Sequence, residues 1–194
     1  MISKCINMGT AEVMHFDGEN SMIPFNVQTL EGLPEVFIET AKSMLKGMSS
    51  TGTAYFTAHG KTLKSGGTLR RGGPHTDGNY EPNTMTFGGG GWKVGENGPA
   101  VSSEEHKRQY LSEKGGIILL TNYQSAVGYC GEFNDIPHVG GDCSHIDLPE
   151  SFPLKAFNVY YGNNHFIHES LPVNADVHRV MYRITMPESH EFKH

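Results

Sequence analysis

Apolar and polar residues alternate most regularly near the C-terminal end of the chain, from Val177 to Met186. Val180, Tyr182, Ile184 and Met186 fall on one face of an extended strand. Arg179, Met181, Arg183 and Thr185 fall on the other, so the pattern predicts a strand with one apolar and one partly basic side. Ala156 to Tyr161 alternates in the same way, with Phe157, Val159 and Tyr161 together. Thr53 to Thr57, Gly116 to Tyr123 and Ala126 to Cys130 read as further short strands. Helical spacing occurs in two places. Pro34 opens a segment in which Phe37, Ala41, Met44 and Leu45 share a face, and Gly47 stops it. A second helix is expected from Ser102, where Ser102 and Glu105 match a capping box, through Tyr110 and Leu111 to Gly115 and Gly116. Short strands following an early helix predict a mainly β fold, an antiparallel sandwich or barrel with helices packed outside.

Composition sharpens this only in part. The length of 194 residues suits one domain, 1–194. Gly occurs 24 times, which fits many tight turns better than a helical bundle. The run Phe87–Trp92 lacks the Gly-Lys-Ser/Thr ending of a phosphate loop. The glycines of 88–100 suggest a mobile lid instead. The formal charge is −6 with no basic run, which speaks against a nucleic-acid partner. The local patch from Lys61 to Arg71 reads as a solvated loop beside a site. No stretch approaches the roughly 18 apolar residues of a membrane span. Three cysteines, Cys5, Cys130 and Cys143, show no C-x-x-C spacing, so a reducing, cytoplasmic setting is expected rather than a disulfide framework or zinc knuckle.

The candidate chemistry lies in two short blocks. In Gly73-Pro-His75-Thr-Asp77, His75 and Asp77 are two apart, so on a strand they leave the same face. A third imidazole from a distant strand completes a 2-His-1-carboxylate facial triad, the set that binds non-haem Fe(II) with positions left open. His168 and His165 both stand in the right region. They are three apart, so only one joins the site from a regular strand. Arg179, opening the last strand, offers a planar fork for a carboxylate. His138, Asp142, His145 and Asp147 form another metal-capable cluster, whose surroundings read as a polar loop.

The order of H-x-D, distal His before Ser170-Leu-Pro172, and Arg eleven residues later resembles the Fe(II)/2-oxoglutarate-dependent oxygenases. The ending Arg179-Val-Met-Tyr-Arg183-Ile-Thr and the run His75 to Tyr80 are similar to the taurine dioxygenase branch of that family. The resemblance covers about 30 residues directly. It implies a double-stranded β-helix (jelly-roll, cupin-like) with flanking helices. It also implies Fe(II) on His75, Asp77 and His168, with the Ser-Leu-Pro continuation favouring His168 over His165. Arg179 would grip the 2-oxoglutarate cosubstrate, and Thr84 or Asn122 would supply a second contact to it. Arg183 would meet an anionic substrate, with Tyr80 beside it, although a salt bridge at the barrel mouth serves Arg183 equally well. The implied activity is hydroxylation of a small molecule with O₂, giving succinate and CO₂. The competing readings are a cupin-like metal-binding protein that turns nothing over, and a structural jelly roll. Retention of Arg179 argues against the first.

Overall fold

The computed structural model describes residues 1–77, 114–138 and 141–192. The expected lid at 88–100, Tyr80, Thr84 and the expected second helix up to residue 113 lie outside the described residues; the expected helix end, Gly115 and Gly116, stands in a strand, Lys114–Thr121.

The chain is mainly β, with antiparallel pairing throughout. Its strands are β1 (Ile2–Ser3), β2 (Cys5–Thr10), β3 (Gly18–Asn26), β4 (Thr53–Leu63), β5 (Lys114–Thr121) and β6 (Ala126–Tyr129). They continue with β7 (Gly131–Glu132), β8 (Phe152–Pro153), β9 (Asn158–Gly162), β10 (Ile167–Ser170) and β11 (Val177–Glu191). Three strands precede the helix, where the sequence pattern placed strands only after it. β2 and β3 are mostly exposed sheet-edge strands, and their polar stretches hide the period-2 signal.

Helix α1 (Glu35–Met44) forms where expected. Pro34 sits at its N-cap with an extended backbone, and Gly47 follows the end with φ +81°, a conformation that costs glycine little. Phe37, Ala41 and Met44 face inward. They pack on one face of a six-stranded sheet of order β2-β9-β5-β11-β4-β3. That face carries Phe56, Ile118, Leu120, Val180, Tyr182 and Ile184, each no more than 1% exposed. The apolar side of β11 is thus spent on the main core, leaving Arg179, Met181, Arg183 and Thr185 for the other side.

A three-stranded sheet of order β10-β6-β8 covers that other side, and β1 pairs separately with β7. His75 extends the three-stranded sheet through a single antiparallel bridge to His168 in β10, and bridges Asp142 on its far side. From β4 onward the chain alternates between the two larger sheets. β4 lies in the large sheet, the His75 segment in the small one, and β5 in the large. β6 and β8 return to the small sheet, β9 to the large, β10 to the small and β11 to the large. The alternation leaves one interior between the sheets, lined by β5, β9 and β11 below and by His75 and β10 above.

Phe157 departs from its expected strand face. It is 48% exposed with φ +59°, in a turn closed by the Asn158 N–H to the Lys155 carbonyl at 3.4 Å, and its own N–H donates across to the distant Thr121 carbonyl, while Val159 and Tyr161 are buried as expected. Turn geometry before β9 outweighs the alternation there.

Candidate metal centre and anion pocket

His75 and His168 reach the interior from neighbouring chain segments that face each other in register. Each backbone N–H donates to the other's carbonyl at 3.0 Å, which makes them a hydrogen-bonded antiparallel pair. Side chains of such a pair leave the same face, and the ring centroids are 4.6 Å apart. Asp77, two residues on, joins them. One nitrogen of each ring and one carboxylate oxygen lie within 4.8 Å of one another, and all three residues are buried.

The unused ring nitrogens are fixed by the backbone. His75 Nδ1 lies 2.8 Å from the Gly73 carbonyl and His168 Nδ1 lies 3.2 Å from the Phe166 carbonyl. A carbonyl only accepts, so both Nδ1 atoms carry the proton and both Nε2 atoms present a lone pair. This is the outer-shell arrangement that orients metal-ligating histidines. Burial pushes the His75 imidazole down to about 3, with His168 beside it adding to the shift. Burial also lowers His168. Both shifts favour the neutral imidazole that a metal ligand needs. Burial raises the Asp77 carboxyl, but Arg183, His168, His75 and Arg70 together hold it below the usual carboxylate range. Two neutral imidazoles and one carboxylate on one side of a buried space fit a divalent transition metal with open positions.

Asp77 is held from behind. Arg183 Nη1 donates to its Oδ2 at 2.8 Å, and both side chains are only 4% exposed. The same oxygen lies 3.6 Å from His168 Nε2. The salt bridge that Arg183 makes is buried within the triad, on Asp77, and not at the barrel mouth as expected from the sequence.

Arg179 differs from Arg183 in pairing with no acid among the described residues. It is 2% exposed, and its Nη1 donates to Ser170 Oγ at 2.7 Å. Its Nε has no partner among the described residues. Burial alone lowers this guanidinium, to about 10. A buried cation without a counter-charge costs several kcal/mol, and most buried charges are paired. The pocket that Arg179 lines also contains His75, Asp77 and His168. Its walls also include the apolar side chains Leu119, Ala126, Leu154 and Met181.

The remaining expected site residues divide. His165 is buried but is not a member of the triad cluster. Asn122 uses its amide to continue the sheet past β5. Its Nδ2 donates to the His178 carbonyl at 3.0 Å, and its Oδ1 accepts from the Val180 N–H at 2.7 Å. It does not line the pocket. Sequence reasoning missed Arg70, Ser170 and Tyr160, which do. Arg70 belongs to the patch expected to be a solvated loop. Its side chain is only 27% exposed and lies 3.7 Å from Glu19. The pairing of β3 with β4 brings Glu19 there, and local charge pattern carries no trace of it.

No family model matches the chain, and comparisons with curated proteins and with solved structures find no significant match. Among the described residues, no helix is long and apolar enough to cross a membrane.

Proposed function

We propose that this protein is an Fe(II)/2-oxoglutarate-dependent oxygenase built on a double-stranded β-helix. The observation that carries the reading is the pairing, in one pocket, of a buried His₂Asp cluster with a buried guanidinium that pairs with no acid among the described residues. A protein that only held a metal would gain nothing from such a cation. The alternation of strands between two sheets supports the fold assignment, with β4, β11, β5 and β9 adjacent in one sheet and the His75 segment, β10, β6 and β8 adjacent in the other.

In this reading His75, Asp77 and His168 hold the metal, which when bound supplies open positions for a 2-oxo acid and O₂. Arg179 orients the far carboxylate of 2-oxoglutarate through a charge-assisted, planar contact, with Ser170 fixing the guanidinium. Arg183 keeps Asp77 ionised and turned toward the histidines. Leu119, Leu154 and Met181 exclude water from the cosubstrate's methylenes. The chain's contribution is therefore mainly positioning, the alignment of a substrate C–H with the reacting centre.

The test is calorimetric titration of 2-oxoglutarate into Mn(II)-loaded protein without oxygen. Wild type should bind it. Arg179→Ala should keep the metal and bind the acid weaker by about 3–5 kcal/mol, roughly a hundred- to a few-thousand-fold. Arg179→Lys should recover part of the loss. No binding to wild type would remove 2-oxoglutarate from the reading, and equal affinity in Arg179→Ala would remove the clamp. Succinate formation on adding Fe(II), O₂ and candidate small molecules would then establish turnover.

A further inference from the structure

A second cluster of metal-ligating side chains stands outside the pocket, on the segment that clamps the His75 strand. The turn after Pro137 closes with His138 N–H to the Asp142 carbonyl at 2.8 Å and Gly141 N–H to the His138 carbonyl at 2.9 Å. It brings His138, Asp142 and His145 to one point on the surface, with a ligand atom from each within 4.8 Å of the others. Asp147, part of the same cluster by sequence, is not among them.

Three features make this more than a chance grouping. The imidazoles of His138 and His145 stack with centroids 3.7 Å apart and planes 10° from parallel, so both rings are held side by side. His145 Nε2 lies 3.0 Å from the Ile136 carbonyl. That nitrogen must carry the proton, which leaves Nδ1 with its lone pair, the tautomer and support typical of a metal-bound histidine. The carboxylate is positioned as well. Asp142 Oδ1 accepts from the Ser144 N–H at 3.2 Å and Oδ2 from the Ser144 hydroxyl at 2.9 Å. His138 Nδ1 is 3.8 Å from Asp142 Oδ2, against about 3.3 Å between ligands of a tetrahedral zinc ion, and binding would also splay the stacked rings so that their lone pairs converge.

We propose that His138, Asp142 and His145 form a surface site for a borderline divalent transition ion of the Zn(II) type, completed by water. Two imidazoles and one carboxylate suit zinc and its neighbours in the series and are poor ligands for Ca(II) or Mg(II), which prefer all-oxygen sets. The site is separate from the buried triad and does not depend on the activity proposed for it. The loop is nonetheless stitched to the triad strand. Thr76 N–H donates to the Gly141 carbonyl and Cys143 N–H to the Pro74 carbonyl, both at 2.9 Å, and Asp142 bridges His75 directly. An ion that crosslinks the loop therefore suppresses opening of the segment that carries His75 and Asp77.

The experiment is equilibrium dialysis of the whole chain against Zn(II), with bound metal counted by mass spectrometry. His138→Gln and His145→Gln change exposed residues and remove one ligand each. Each variant should hold one ion fewer per chain than wild type, while His15→Gln should hold as many as wild type. The comparison is a difference, so it stands whether or not the buried triad also takes zinc. Equal counts in wild type and both variants would overturn the site. Hydrogen exchange at the Thr76 and Cys143 amides should slow on adding Zn(II) to wild type and not in the variants. A lost ion with unchanged exchange would leave the site and overturn the coupling to the triad strand.

Discussion

His75 and His168 stand directly opposite each other and exchange both of their backbone hydrogen bonds. The distance between the two imidazoles is therefore set by strand pairing and not by side-chain reach. A slip of one residue would turn His168 to the opposite face. Occupancy of the triad by metal is thus a readout of register at the edge of the small sheet. Replacing His75, Asp77 or His168 by Ala should abolish Fe(II) binding with far-ultraviolet dichroism unchanged. His165→Ala should retain the metal. Iron analysis of anaerobically loaded proteins decides between them.

Arg183 is expected to act on the metal through Asp77. Arg183→Met keeps most of the volume but leaves the buried carboxylate without its cation. Metal affinity should fall about 10–100-fold, the usual cost of losing a residue that orients a ligand. Arg183→Lys should recover part of it. Competition titration with a chromophoric chelator gives the ratio. An unchanged affinity would show that the ion pair serves the sheet alone.

Phe166 is the physical support of His168. Its ring lies 5.4 Å from the imidazole at 18°, and it occupies two glycine notches. A Cβ on Gly128, the residue paired with His168, would come 2.5 Å from Phe166 Cζ. One on Gly162 would come 2.5 Å from the same ring. Gly128→Ala and Gly162→Ala should each destabilise the fold by about 1–3 kcal/mol through overpacking. Phe166→Ala should cost about 3–5 kcal/mol by leaving a void. Urea denaturation measures all three, and the first two should also weaken metal binding by tilting the His168 ring.

Cys130 should label ahead of the other two thiols, both of which burial pushes up. Cys130 is exposed, Cys5 half-buried and Cys143 buried. Burial pushes the Cys143 thiol up to about 12, and Asp142 adds to it. The thiolate is the reactive form, so Cys143 should resist iodoacetamide even at pH 9, while Cys130 reacts first. Mass mapping of the alkylated peptides over time tests this. Early modification of Cys143 would show that the 141–146 loop opens readily.

The parts of the site that were legible in sequence share one property: their partners are fixed by local period. The two faces of β11, and the common direction of His75 and Asp77, follow from alternation alone. What was not legible depends on pairing between distant segments. The ion pair of Arg183 with Asp77 requires β11 to lie beneath the His75 segment, 106 residues away in sequence. Arg70 becomes part of the pocket only because β3 lies beside β4 and supplies Glu19. Asn122 had the chemistry of a cosubstrate contact, but its position just past β5 lets it mimic a strand backbone. Phe157 had the right alternation and lost it to a turn with positive φ.

The unneutralised guanidinium of Arg179 has a consequence for the life of the chain as well as for its chemistry. With no carboxylate paired to Arg179 among the described residues, the folded protein carries the cost of burying that charge. An acid that binds only the folded form lowers the population of unfolded chains in proportion to its own concentration above Kd. If the proposed function holds, the quantity of this protein that survives proteolysis in a cell would be tied to the supply of that small acid.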